Sequence, residues 1–234
     1  MSNYQSLNRL EIAYLVAQHF EDGAVVNLGI GMPTQVSNYL PKDKEILLHS
    51  ENGILGMGRN AEGDEVDWDL INASRTPITL VPGASICEHT TAFAMMRGGH
   101  LDYSVLGGFQ VAANGDLANW MTIEPNAIAA IGGAMDLAIG AKSVIVTMDH
   151  VAKDGSPKLL EQCTYPLTGI GVVKHVYTDL AIVDVKAGEF IVRALLDGLS
   201  FDELQSKTGA PLRRAENMSA VSYTHLTLPT KRIV

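Results

Sequence analysis

Runs rich in Val, Ile and Leu recur as AVVNLGI (24–30), EILLH (45–49), ITLV (78–81), YSVL (103–106), SVIVTM (143–148), VYTDLAIVDV (176–185) and FIV (190–192). Short, nearly unbroken apolar runs are the pattern of strands buried on both faces. Helix signals lie between and around them. Asn8 followed by Glu11 forms a capping box that opens a helix to about Phe20, with Leu10, Ala13, Tyr14 and Ala17 on one face and Asp22-Gly23 as its stop. Thr34–Leu40, with Thr34 as cap, and Thr90–Arg97 are helix-compatible, and Ser200 with Glu203 opens a last helix through about Lys207. Alternating strands and helices of this kind predict an α/β fold: an open, mostly parallel sheet with flanking helices.

Composition narrows the function. The chain has 234 residues, 47% of them hydrophobic and 18% charged, enough to fill one large core. One domain is expected over residues 1–215. Residues 216–234 lose the helical period and read as an extension unrelated to function. A formal charge of −9, with no basic cluster before the final KRIV, argues against nucleic acid. No basic, apolar leader and no run long enough for a membrane span is present, so the expected compartment is the cytoplasm. Cys87 and Cys163 match no metal or redox spacing and read as small buried hydrophobes. The seven histidines, among them His49, His89, His100 and His150, form no HExxH pattern, and no GxSxG motif occurs. No metal site is expected.

The stretch LLHSENGILGMG (47–58) combines a strand signal with a carboxylate at its end. In an open α/β sheet ligands sit outside the carboxyl ends of the strands, so Glu51 stands where chemistry usually occurs. Ser50 and Asn52 flank it with hydrogen-bonding groups, and Gly53, Gly56 and Gly58 allow close approach to a ligand. On these residues alone, Glu51 reads more readily as an exposed loop carboxylate or the cap partner of a following turn. The segment VVNLGIGMPT, with Gly29 and Gly31, resembles half a dinucleotide fingerprint but lacks the third glycine, and it reads better as a tight turn lining a cleft. Gly132-Gly133 precede a helix and form either an anion or oxyanion site or a closely packed turn.

The ordered words NLGIGMPT, HSENGILGMG, DLINA, VPGAS, MMRGGHLD, VLGGFQV, GDLANW, GGAMDL, YPLTG and TDLAIVDV resemble the B subunits of bacterial class I 3-oxoacid coenzyme A transferases, from about Glu11 to Gly209. NWMTIEPNAIAAIGGAMDLAIGA, QCTYPLTG and YTDLAIVDV are most similar to the 3-oxoadipate branch. The resemblance implies the CoA-transferase fold, related to that of sugar-phosphate isomerases. It also implies a ping-pong transfer from succinyl-CoA in which Glu51 is the nucleophile and Gly132 or Gly133 supplies an oxyanion amide. Ser50, Asn52, Gly53, Gly29 and Gly31 would surround the substrate. Coenzyme A would be substrate and covalent intermediate, with no permanently bound cofactor. A second chain, the CoA-transferase A subunit, would complete an A2B2 heterotetramer. A glutamate is ionised at neutral pH, with a reference pKa of about 4.3, so the attack needs no neighbouring base. A distal substrate carboxylate would need a cation, for which Arg75, Arg97 and Lys153 are candidates. Two other readings stay open: a succinyl-CoA:acetoacetate transferase, and a non-catalytic ligand-binding regulator on the same fold.

Overall fold

A computed structural model of the chain describes residues 4–123 and 126–221. In chain order the elements are α1 (Arg9–Ala17), β1 (Val25–Leu28), β2 (Leu47–Ser50), β3 (Ile54–Asn60), β4 (Ile78–Ile86), α2 (His89–Arg97), β5 (Leu101–Gly107), β6 (Gln110–Ala112), β7 (Leu117–Ala118), α3 (Ala134–Gly140), β8 (Ala141–Thr147), β9 (Leu159–Leu160), β10 (Val173–Tyr177), β11 (Ala181–Lys186), β12 (Glu189–Leu196), α4 (Phe201–Ser206) and β13 (Leu212–Val221). Among the described residues, ten strands form one sheet in the order β13-β12-β11-β10-β8-β5-β1-β2-β3-β4. Its middle, β10-β8-β5-β1-β2, is parallel throughout. The expected α/β architecture is therefore present, with antiparallel wings added by β3-β4 on one side and β11-β12 on the other. A small sheet, β7-β6-β9, stands apart from it.

Parallel central strands must be covered on both faces. Val26, Leu28, Val105, Val144, Ile145 and Val146 are accordingly buried. Phe20 and Phe190 are among the largest fully enclosed side chains. Both capping boxes form as expected: Asn8 Oδ1 accepts from the Glu11 amide at 3.1 Å, and Ser200 Oγ accepts from the Glu203 amide at 3.2 Å.

Three details differ from the sequence reading. α1 buries Ile12, Ala13, Val16 and Ala17, while Leu10 is exposed, because a helix apolar on most sides does not announce which stripe faces the core. The expected Thr34–Leu40 helix is a 3-10 helix over Met32–Asn38 capped by Gly31, its start moved back by Pro33, whose fixed φ suits the first turn. The run 176–185 is two strands, because Thr178 Oγ1 accepts from the amides of Leu180 (3.1 Å) and Ala181 (3.0 Å) and turns the chain into the β10-β11 hairpin. At the C-terminal end, residues 216–221 complete β13, which pairs with β12 through Leu196↔Val221. The remainder of the expected extension, 222–234, lies outside the described residues.

His150 is fully enclosed, with Nδ1 3.0 Å from Thr178 Oγ1 and Nε2 2.9 Å from Thr208 Oγ1. Burial holds its pKa down at about 4, against the ordinary 6.5. A depressed value means that stability is full above pH 6.5 and is lost as pH falls towards 4, because the unfolded chain takes up the proton first. At about 1.4 kcal/mol per pH unit, His150 alone accounts for about 3 kcal/mol across that window. The wild type is expected to melt several degrees lower at pH 5 than at pH 7.5. His150→Gln should reduce that difference in a thermal melt without abolishing it, because burial also holds His19 down at about 4, and an unchanged pH dependence in the variant would exclude His150 as a source.

Candidate active site

Because β1, β2, β5 and β8 are adjacent and parallel, their carboxyl ends open on one edge of the sheet. The residues just beyond those ends, Gly29 and Ile30 after β1, Glu51 after β2, Gly108 and Phe109 after β5, and Met148 and Asp149 after β8, line one cavity of about 480 Å³. The segment 130–134 leading into α3 closes another side of it. That volume falls in the range of small-molecule sites, roughly 300–1,000 Å³.

Glu51 sits at the tip of the β2-β3 hairpin, whose strands pair through Ser50↔Ile54 and whose turn closes with the Gly53 amide donating to Ser50 O at 3.0 Å. Gly53 has φ +104°, and any side chain there would collide with the Cys87 carbonyl, so glycine is required for the turn. Behind the tip, the Asn27 amide group donates to His49 O at 3.1 Å and lies 3.0 Å from His49 Nδ1. His49 Nε2 stands 3.2 Å from Ala92 O. The tautomer that satisfies both ring contacts carries its proton on Nε2. This buried chain ties β1, β2 and α2 together directly behind Glu51.

The Glu51 side chain is half-buried and accepts no hydrogen bond from the described residues. Burial lifts its carboxyl above the ordinary glutamate range; nearby His89 opposes the rise and the Asp136 carboxylate adds to it. A raised carboxyl is protonated at a higher pH than usual, so its nucleophilic form is lost earlier on acidification. Gly133 lies flat against this group: a Cβ placed there would stand 2.6 Å from Glu51 Oε2 and 3.1 Å from Phe93 Cζ. Phe93 packs near the His89 ring, at 4.5 Å between centroids, and near the Arg97 guanidinium, at 5.6 Å. Arg97 also bridges to Asp136 at 2.7 Å, tying α2 to α3.

The structure thus brings together Glu51, Gly132, Gly133 and Gly29 around one cavity. Ser50, Asn52, Gly53 and Gly31 lie outside its wall. Ser50 Oγ donates to Asn52 Oδ1 at 2.6 Å, and Asn52 Nδ2 donates to Ile71 O at 2.8 Å, so both side chains are engaged in holding the turn. Gly56 and Gly58, expected to clear room for a ligand, instead let β3 approach β4, against Ala84 and Thr79. None of the three cation candidates lines the cavity: Arg97 is committed to Asp136, and Arg75 and Lys153 are on turns away from it. Arg9, Asn119, Thr147, Asp149 and Lys158 do line it and were not singled out from sequence. Thr147 and Asp149 end or follow the SVIVTM strand and could have been found by the same carboxyl-end argument as Glu51. Arg9 and Lys158 carry no local signal, because topology alone brings them there. Cys87 and Cys163, expected to be buried, are each only partly covered, although burial still raises the Cys163 thiol to about 11.

Residues 9–207 match the family described as Coenzyme A transferase. The chain is 53% identical over 210 residues to the B subunit of the 3-oxoadipate CoA-transferase of Acinetobacter baylyi, covering 90% of this chain and 97% of that one. It is 47% identical over 194 residues to the B subunit of the succinyl-CoA:3-ketoacid coenzyme A transferase of Helicobacter pylori, covering 83% and 93% respectively. Among solved structures, the acyl-CoA transferase YdiF of Escherichia coli O157:H7 superposes with a TM-score of 0.70 at 17% identity, over 93% of this chain and 44% of that one. This chain therefore spans less than half of YdiF, and that likeness speaks for the fold.

Proposed function

This chain belongs to the coenzyme A transferase family, and from that premise we propose that it is the B subunit of an enzyme that moves CoA from succinyl-CoA to 3-oxoadipate. The observation that carries the reading is a desolvated carboxylate, Glu51, lining a cavity and packed against the backbone of Gly133. A Glu51 oxygen attacks the thioester carbonyl, the C–S bond breaks, and an acyl-glutamyl anhydride and CoA thiolate result. The thiolate then attacks the glutamyl carbonyl, succinate leaves, and a glutamyl-CoA thioester remains. The acceptor carboxylate repeats the two steps in reverse order, ending with 3-oxoadipyl-CoA and free Glu51. No net proton moves, so no general base is required. Desolvation makes the carboxylate more basic and a better nucleophile. Each attack puts negative charge on a carbonyl oxygen. We assign one stabilising donor to the amide of Gly133, whose backbone lies against the reacting carboxylate, in preference to Gly132.

Both covalent intermediates hydrolyse if water reaches them, so the open side of the cavity needs a cover. Ile30 and Phe109 line it and are 65% and 40% exposed, large apolar surfaces suited to a partner chain. We assign that cover to the A subunit, within an A2B2 heterotetramer. The relatives' own designation as B subunits supports a partner of this kind. The test is transfer from succinyl-CoA assayed with the chain alone and with its A subunit, with hydroxylamine used to trap the glutamyl thioester. Turnover and Glu51 labelling are expected only in the assembly. Full turnover by the lone chain would refute the shared site. A faster rate with acetoacetate than with 3-oxoadipate would favour the reading as a succinyl-CoA:acetoacetate transferase.

A further inference from the structure

Among the described residues, four charged side chains line the cavity: the carboxylates of Glu51 and Asp149, and the cations of Arg9 and Lys158. Asp149 closely follows β8, and Arg9 opens α1 on the exposed rim. Lys158 is different in kind. It is half-buried, and its backbone is pinned in place: its carbonyl accepts from the Val111 amide at 3.0 Å, and Leu159 next to it is fully enclosed. Yet its ammonium makes no hydrogen bond or ion pair with any described residue, although an unpaired, partly desolvated charge is costly. The electrostatic pull of Asp149 and Asp179 only partly offsets the effect of burial, which lowers its pKa.

Resting on the function proposed above, we infer that Lys158, with Arg9 at the rim, receives the distal carboxylate of the dicarboxylic substrate and so selects diacid acceptors over monoacids. Both succinyl-CoA and 3-oxoadipate carry a second carboxylate that takes no part in the exchange. A single nucleophile serves both half-reactions, so both distal carboxylates enter the same cavity. The charge balance favours the acceptor step in particular. With Glu51 free, the four groups cancel; once Glu51 is a neutral thioester, Asp149 alone opposes the two cations, and the wall attracts an incoming dianion. The CoA diphosphate is an unsuitable occupant, because it lies a whole pantetheine arm from the sulfur that must reach Glu51.

The experiment uses the complete two-chain enzyme and compares kcat/KM for 3-oxoadipate with that for acetoacetate, which has no distal carboxylate. In a ping-pong scheme this parameter reports the acceptor half-reaction alone. Lys158→Met should lower the preference for 3-oxoadipate over acetoacetate by roughly 10- to 100-fold, the scale of one charge-assisted contact, acting mainly through KM. Lys158→Arg should keep most of the preference. Arg9→Met, at an exposed helix start where folding is not at risk, should lower it in the same direction, and this variant decides the matter if Lys158→Met does not fold. Equal losses for both acceptors, as expected for a structural role or for CoA phosphate binding, would overturn the inference, and so would an unchanged preference. Hydroxylamine labelling of Glu51 in the wild type is read in parallel. Absent labelling condemns the function itself, whereas intact labelling with equal losses condemns only the role of the two cations.

Discussion

Replacing Glu51 by glutamine in the assembled enzyme is expected to remove CoA exchange by on the order of 10⁴-fold or more, the scale seen when a covalent nucleophile is deleted. Gln has the same shape and hydrogen-bonds as readily, but its amide cannot form the acyl anhydride, so the loss should fall on kcat and not on substrate binding. The fold should not suffer. Glu51 is half-buried, without a hydrogen bond among the described residues, and burial raises its pKa. An ionised carboxylate at that place is therefore destabilising at neutral pH, and the neutral Gln variant should melt no lower than the wild type. Measured together, turnover, melting temperature and hydroxylamine labelling separate a chemical loss from a structural one. Exchange retained within about tenfold of wild type, far short of a nucleophile's deletion, would refute Glu51 in that role.

The second large effect is expected at Gly133. Its backbone, with φ −85° and ψ 6°, is outside the left-handed region that favours glycine, so Gly133→Ala meets no positive-φ penalty. The added methyl would nevertheless stand 2.6 Å from Glu51 Oε2, and either the carboxylate or the α3 start must shift. Displacing the nucleophile from its oxyanion donor should cost about 10²–10³ in kcat, comparable with deleting one such donor. Gly132 offers the contrast. It has φ +48°, and a Cβ there would meet nothing within 4 Å, so Gly132→Ala should cost about 1–2 kcal/mol of backbone strain and far less activity. Stopped-flow or steady-state kcat for the two variants, with their melting temperatures, would distinguish the two glycines. A larger kcat loss at Gly132 would reverse the assignment of the oxyanion donor.

Much of this arrangement is legible in the sequence because it is encoded locally. The Asn8–Glu11 and Ser200–Glu203 boxes form the bonds their spacing implies, and the apolar runs at 24–30, 103–106 and 143–148 become the parallel centre of the sheet. Glu51 is found by one rule, that polar residues after buried parallel strands face the ligand, and the same rule would have found Asp149. The glycines of ENGILGMG misled for a physical reason. Glycine is a poor strand former, yet β3 is held by β2 and β4 on its two sides, and Gly56 and Gly58 are small because β4 packs so closely there. The cations were misassigned for another. Arg97 and Lys153 look free on paper, but one is paired with Asp136 across two helices and the other lies on an exposed turn, and neither fact has a signature in the chain order.

Local residue chemistry was sufficient for the two capping boxes, the α/β class, and the presence of a carboxylate at a strand end in a glycine-rich setting, since caps and buried strands are specified within a few residues. Which stripe of α1 is buried, which of two adjacent glycines touches Glu51, and which cations enter the cavity were settled by packing. Packing brings together residues far apart in the chain, Glu51 against Gly133 and Arg9 and Lys158 on one cavity wall, and depends on the order in which parallel strands stack side by side, which sequence periodicity leaves open.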